Sequence, residues 1–415
     1  MPHPATTQPL RIGIIGAGIS GLTNYIALSE LDNVQIKIYE QAQELKEIGA
    51  SIGLGPNGLR GLQRLGVHAA LNDSVDIRNH STAETGRPTQ FCAIIYTRMF
   101  PTGYITLHAS TGHIFKRFFW VAVPKTVLHL KKRSVGLEPD HNSVTINFED
   151  GSSVTQDLVV VSDGIHLAIR QQLLPDHKNF STKWASFRAV YDVSLPERFR
   201  DSQEVEISPN RTFFATPLGG NLIAAVGGYA VAQTTDNEQW NAVNEDHRQK
   251  FMNLYKVSKA GTPAVRVEVR SYPGHSGSIA RQWVFNSRIV LTGDAAHPIG
   301  RVGFGAGMAI DDALSLLMAL ESIQLSSETK GTDLENVLNL FQAVRKPHAD
   351  QLGDSLARKG KGKSIYRKHL SEEQILEWVN GRENTAWIHE HDVNAAFGQV
   401  NDLPQSEGMF SGCTM

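Results

Sequence analysis

Hydrophobic and polar positions along the chain follow two rhythms. Arg11 to Ile15 is a short apolar run that turns at Gly16, Leu22 to Leu31 continues at helical spacing, and Val34 to Tyr39 is a second apolar run. The pattern predicts strand, helix, strand. Ser51 to Gly66 is a glycine-punctuated loop leading into a helix over Gly58 to Leu65. The middle of the chain then changes character. Val144 to Phe148, Leu158 to Val161, Val205 to Ile207, Arg211 to Phe214 and Leu222 to Val226 read as strands separated by turn residues, which predicts an antiparallel sheet as a second layer. Arg288 to Leu291 is again a short apolar strand. It enters a glycine-rich segment followed by amphipathic stretches at Met308 to Ile323 and Leu334 to Val344, so the chain is expected to return to its first domain. From Lys346 to about Phe397 the sequence is charged with helical character, and a tail rich in Ser, Gly and Gln follows.

Composition narrows the function. The 415 residues are 41% hydrophobic and 20% charged, enough to bury one large core or two fused domains. The formal charge is −2 and the only short basic run is Lys359, Lys361 and Lys363, so no footprint for nucleic acid or an anionic membrane is present. A small-molecule ligand is the expected partner. Cys92 and Cys413 are too few for a disulfide framework and wrongly spaced for zinc, so no metal site is expected and a reducing compartment fits. The first ten residues lack an apolar core and no run of about 18 apolar residues occurs, so the expectation is a cytoplasmic protein without membrane insertion.

Gly16-Ala17-Gly18-Ile19-Ser20-Gly21 is a G-x-G-x-x-G between the first strand and the first helix, with Glu40 closing the next strand. Gly16 permits the tight turn, Gly18 lets the backbone approach a pyrophosphate, and Gly21 allows close helix–sheet packing. The helix N-terminus offers N–H groups to the phosphates. Glu40 can accept hydrogen bonds from ribose hydroxyls. An adenine dinucleotide is implied, and this fingerprint alone leaves NAD and FAD open.

A second motif separates the two. Gly293-Asp294-Ala295-Ala296-His297-Pro298 is followed by Gly303-Phe304-Gly305-Ala306-Gly307-Met308-Ala309-Ile310-Asp311-Asp312-Ala313. This resembles the G-D-A-A-H-P…G-x-G-x-x-x-A-x-x-D-A signature of FAD-dependent aromatic hydroxylases, the salicylate hydroxylase-like flavoprotein monooxygenases of fungal type. The resemblance implies that Gly293 and Asp294 hold the ribityl and pyrophosphate part of FAD. It also implies that Gly305, Ala306 and Gly307 begin a helix whose amides face the flavin's electron-rich edge. Lys46-Glu47-Ile48-Gly49-Ala50-Ser51-Ile52, continuing to Gly53 and Pro56-Asn57, resembles the family's loop beside FAD and implicates Lys46, Ala50 and Gly53. Asp157-Leu158, Ser162-Asp163-Gly164-Ile165-His166 and Arg170 resemble the D-G motif, whose Asp, here Asp163, serves FAD and NAD(P)H. Ser186-Phe187-Arg188-Ala189-Val190 resembles the strand from which some members aim an arginine at a substrate phenolate, making Arg188 the candidate catalytic residue. His297 reads equally well as a turn residue.

Three departures stand against this pattern. The H-R-x-x-L-x-x-x-L helix is replaced by Lys116 to Pro124 running into a strand at Thr126 to Leu130. Tyr272 to Ser278 stands where a W-x-L-x-D-R-x-P segment is expected, and Ile299 to Val302 is one residue short with no second proline. The expected architecture is α/β: a Rossmann-like FAD-binding domain (1–175, with an excursion around 75–115), an inserted antiparallel β-sheet substrate domain (176–285), a return to the FAD-binding domain (286–345), and C-terminal helices and tail (346–415). The expected activity is NAD(P)H- and O2-dependent hydroxylation of a phenolic or other electron-rich ring, by a monomer or homodimer. A redox-impaired or redox-neutral member of the same fold, such as a cyclase or binding scaffold, is the alternative. An NAD-dependent dehydrogenase would leave the Gly293 motif without a role.

Overall fold

The computed structural model describes residues 8–45, 51–67, 105–108, 122–165, 168–177, 179–192, 204–208, 211–219, 222–231, 249–251, 253, 269–300, 304–329, 331–361 and 386–401. Strand β1 (Leu10–Ile15) feeds helix α1 (Ile19–Leu28) and strand β2 (Val34–Tyr39). Strands β1 and β2 pair in parallel, Leu10 opposite Val34 through Ile15 opposite Tyr39. After β3 (Ser51–Leu54), α2 (Pro56–Arg64) and β4 (Ile105–His108), strand β5 (Leu128–His129) joins the edge of β2. The strand expected over Thr126 to Leu130 is shorter than its apolar pattern suggests, because Lys125–Val127 forms a 3-10 turn first.

A three-stranded meander follows: β6 (Ser134–Pro139), β7 (Val144–Phe148) and β8 (Ser153–Gln156). Next, β9 (Leu158–Val161) runs parallel to β1, Ile12 opposite Leu158 through Ile15 opposite Val161. This corrects the sequence reading, which placed Val144 to Phe148 and Leu158 to Val161 with the later strands in one antiparallel sheet. Every residue of β9 is fully buried. A strand covered on both faces is apolar throughout, which is how a central parallel strand differs from a half-exposed antiparallel one. The bond network fixes its register: Asp157 accepts from the Arg11 amide (2.8 Å) and guanidinium (2.6 Å), and its carbonyl accepts from Arg288 (2.9 Å).

Helix α3 (Ala168–Leu173) leads into a five-stranded antiparallel sheet. Its strands are β10 (Asn179–Asp192), β11 (Glu204–Ser208), β12 (Arg211–Gly219), β13 (Leu222–Ala230) and β14 (Arg270–Gly277), in the order β11-β12-β13-β10-β14. One face of β10 is dry: Phe187 is fully buried, stacks on Tyr229 at 4.6 Å and meets the edge of Phe251 at 5.8 Å. The chain re-enters the first sheet through β15 (Val284–Phe285) and β16 (Ile289–Leu291), completing the order β15-β16-β9-β1-β2-β5. Strand β16 runs parallel to β9 and is fully buried.

Helix α4 (Gly305–Leu320) packs along α1 and α2, and α5 (Gly331–Lys361) packs on α4. The apolar stretch read over Leu334 to Val344 is thus the middle of a 31-residue helix that accommodates Pro347. Helices α6 (Ala386–Glu390) and α7 (Val393–Asn401) close the described chain, α6 against α2 and α7 against α5 and α4. Among the described residues, no helix is long and apolar enough to cross a membrane.

Candidate active site

The turn after β1 is built by three glycines with three separate jobs. Gly16 has φ +97°, and a Cβ there would lie 2.6 Å from the Ser162 carbonyl, so only glycine makes this turn against β9. A Cβ on Gly21 would run into the Gly16 carbonyl oxygen, which is the close helix–strand packing expected of the third position. A Cβ on Gly18 would meet nothing within 4 Å. Among the described residues, no protein group fills the space above this backbone. Glu40, at the end of β2, accepts the Ala17 amide at 2.7 Å and the Ala42 amide at 2.8 Å. A carboxylate has about four acceptor positions, so two remain for a ligand hydroxyl pair.

The second glycine-rich motif lies against the first. Ser20 and Thr292 share a hydrogen bond at 2.9 Å, and Asn24 donates to Thr292 Oγ1 at 3.1 Å. Gly293, with φ +60°, comes so near α1 that a Cβ would sit 2.7 Å from Ser20 Cβ. Beside it, Asp294 stands in a short 3-10 turn. The residue is exposed, yet protein packed close around its carboxyl raises its pKa by desolvation. A Cβ on Gly305 would be 3.6 Å from Asp294 Oδ1, so the start of α4 lies beside that carboxyl. That start has no side-chain cap, and its first helical bond is the Met308 amide to the Phe304 carbonyl. The amides of Gly305, Ala306 and Gly307 therefore precede the helical ladder and are available to a ligand.

Asp163 borders the same region, its Cα being 3.0 Å from where a Gly16 Cβ would be. Both carboxylate oxygens are buried and, among the described residues, have no hydrogen-bond partner in another residue. Burial pushes this carboxyl up to about 7, against the pull of its own backbone amide and of the Arg170 guanidinium. A buried carboxyl left this way is costly, and a ligand that brings hydroxyl or phosphate groups would satisfy it. Arg170 holds the surroundings in place: it donates to the Ala295 carbonyl (2.9 Å), Asn179 Oδ1 (3.1 Å) and the Ser278 carbonyl (2.7 Å).

His297 is settled by its contacts as a structural residue. It is fully buried and its Nε2 lies 2.6 Å from Asp312, which also accepts the Gly293 amide (2.9 Å) and the Arg345 Nε–H (3.0 Å). His297, Gly293 and Arg345 together hold Asp312 down to about 2 despite its burial. Asp312 stands in the Gly303 to Ala313 motif, but its partner Arg345 lies outside any motif. Asp311, next to it, accepts from Asn57 at 2.9 Å and is pushed up to about 6 by burial.

Asp311, His348 and His391 bring three ligand-type atoms within 4.8 Å of one another. The geometry still disfavours a metal. The two imidazoles stack with centroids 4.0 Å apart and planes 10° from parallel, whereas a shared ion would have to lie in both ring planes. Arg345 Nη1, 2.7 Å from His391 Nε2, already places a cation there.

On the antiparallel sheet, Arg188 is half-buried and its guanidinium lies over the Tyr272 ring at 5.4 Å. Tyr272 belongs to the Tyr272 to Ser278 segment that departs from the family pattern, and in the fold all but the last residue of this segment lie in strand β14, paired with β10. Lys46, Ala50, the replaced helix up to Val121, and Arg301 to Gly303 lie outside the described residues. Gly53 is in β3, opposite Thr106 of β4.

Comparison with known proteins agrees with this arrangement over nearly the whole chain. The family model of an FAD binding domain matches residues 10–355. The 6-hydroxynicotinate 3-monooxygenase of Pseudomonas fluorescens is 25% identical over 400 residues, covering 93% of this chain and 96% of that protein. A salicylate hydroxylase of Pseudomonas putida is 23% identical over 430 residues, covering 94% of each. In fold, the chain is similar to Klebsiella pneumoniae HpxO complexed with FAD and uric acid (TM-score 0.66, 19% identity, 94% of this chain and 97% of that one). It is also similar to a salicylate hydroxylase substrate complex (TM-score 0.65, 20% identity, 94% and 98%). With its fingerprint and its Gly293 motif both inside the matched residues, the chain belongs to the FAD binding domain family.

Proposed function

We propose that this protein hydroxylates a phenolic or other electron-rich aromatic small molecule, with FAD as bound cofactor and NAD(P)H and O2 as co-substrates. The observation that carries the reading is the seating of the Gly293 motif on the fingerprint helix through Ser20 and Thr292, which brings the two half-sites side by side. NAD needs only the first half-site; FAD is long enough to use both. In this reading the Gly16 to Gly21 turn holds the pyrophosphate, Glu40 the ribose hydroxyls, Asp294 with Gly293 the ribityl chain, and the amides of Gly305 to Gly307 the flavin edge. Asp163 serves the cofactor from the β9 side, and Lys46, Ala50 and Gly53 belong to the loop beside it.

When bound, FAD takes electrons from NAD(P)H and activates O2, and this chain's residues orient and dry the reaction. Arg188 would hold the substrate phenolate, its guanidinium kept in orientation by the Tyr272 ring. We take the sheet within 176–285 as the substrate-facing part. The test is substrate-dependent NAD(P)H oxidation with identification of a hydroxylated product, across phenols and hydroxylated aromatic acids. Protein that binds FAD but never consumes NAD(P)H with any of them would support a redox-neutral role for the fold instead.

A further inference from the structure

The family match ends at residue 355, yet the C-terminal segment returns to the place where α4 begins, through His389 against Phe304. Helices α2 and α4 are drawn together there by small residues. A Cβ on Gly58 would lie 3.2 Å from the Gly307 Cα, and Asn57 reaches Asp311 across the gap. Their N-termini therefore lie side by side, α2 preceded by Gly55 and α4 by Phe304.

His389 of α6 is seated on both. Its ring fills the space a Gly55 Cβ would take, and it meets the Phe304 ring edge-on at 5.1 Å. It is 2% exposed. The segment that carries it is pinned from both sides. Arg60 of α2 donates to the carbonyls of His389 (3.1 Å) and His391 (2.9 Å), and Arg345 of α5 bonds His391. Trp387 meets His348 edge-on at 5.5 Å. A segment held this firmly delivers one ring to the junction of two helix starts, one of which borders Asp294.

We propose that His389 is a positioning residue for the flavin end of the cofactor site, its ring setting the separation of the α2 and α4 N-termini. This rests on the FAD reading above. The role is one of shape: the ring is wedged against a backbone that has no side chain at Gly55, so adding a methyl group at Gly55 or removing the ring should disturb the same spacing.

The experiment is titration of the apoprotein with FAD and, separately, with ADP, which occupies only the fingerprint half. His389→Ala should weaken FAD about tenfold or more while leaving ADP within about twofold. His389→Phe, which restores ring volume, should recover most of the loss. Gly55→Ala should weaken FAD comparably, and the Gly55→Ala/His389→Ala double variant should lose less than the two single losses combined, because the new methyl then enters vacated space. If His389→Ala does not fold, Gly55→Ala and His389→Phe carry the test with the same two ligands. FAD binding at wild-type strength in His389→Ala and Gly55→Ala, or equal losses of FAD and ADP, would overturn the proposal. Wild-type protein that binds ADP but not FAD would instead overturn the cofactor reading beneath it.

Discussion

Ser20 and Thr292, 272 positions apart in the sequence, share a buried hydrogen bond of 2.9 Å. One lies in the first turn of α1, within the fingerprint, and the other directly follows strand β16, before the Gly293 motif. This contact holds the two glycine motifs against each other.

The fingerprint glycines should separate into binding and folding roles. Gly18 has extended backbone angles that valine adopts readily, and open space surrounds its Cβ position, so Gly18→Val should leave the apoprotein folded. Its side chain would stand where the pyrophosphate must come, so FAD and ADP titrations should both be lost. Gly21→Val should fail differently, lowering the Tm of the apoprotein, because its Cβ meets the Gly16 carbonyl. Normal FAD titration by Gly18→Val would contradict the assignment.

Asp163 should cost the empty protein stability. Its carboxyl is raised to about 7 in the fold, above its ordinary value of 3.8, so its penalty is absent at acid pH and grows as pH rises through that window. Asp163→Asn should therefore stabilise the apoprotein at pH 8 by roughly 1–3 kcal/mol, with little effect near pH 4, while weakening FAD. Urea denaturation of both proteins at the two pH values measures this. Equal effects at both would show that the carboxyl is not strained by burial.

The histidine cluster predicts the opposite pH dependence. Burial lowers His391 to about 4, with Arg345 adding to the effect, so in the fold it stays neutral and accepts the arginine's hydrogen bond. The unfolded chain takes up its proton first, below about 6.5, so stability from this group is complete above that pH and is lost on descending to about 4. His391→Gln, whose amide oxygen can accept the same bond, should lose less stability than wild type between pH 7 and 4.5. Matching losses in urea midpoints would remove His391 from the account.

Arg188→Lys keeps the charge but loses the planar fork and its stacking on Tyr272. Substrate binding should fall by roughly 1–3 kcal/mol, read as a rise in KM, with Arg188→Ala falling further and FAD content unchanged in both. Equal turnover by wild type and Arg188→Ala would leave the arginine a structural neighbour of Tyr272 only.

Local chemistry explains which of these features were legible in the sequence. The turn at Gly16, strand β2 and the start of α4 at Gly305 were readable because each is dictated by glycine placement or a short apolar period. Strand β9 was misplaced because Leu158-Val159-Val160-Val161 is apolar on both faces, and only its partners Ile12 and Ile289 decide whether it lies in a parallel sheet. The pairs Asp312–Arg345 and Gly55–His389 were invisible for a related reason. They join segments that no motif links, and a charged residue such as Arg345 gives no sign in the sequence that it will be fully buried.

The central claim is that the two motifs form one FAD site. Its most direct test is flavin content: the purified protein desalted, its absorbance recorded, and the apoprotein titrated with FAD. The protein should be yellow and retain close to one FAD per chain, with Asp294→Ala losing FAD far more than ADP. Colourless protein that does not take up added FAD, or equal losses of FAD and ADP in Asp294→Ala, would contradict it.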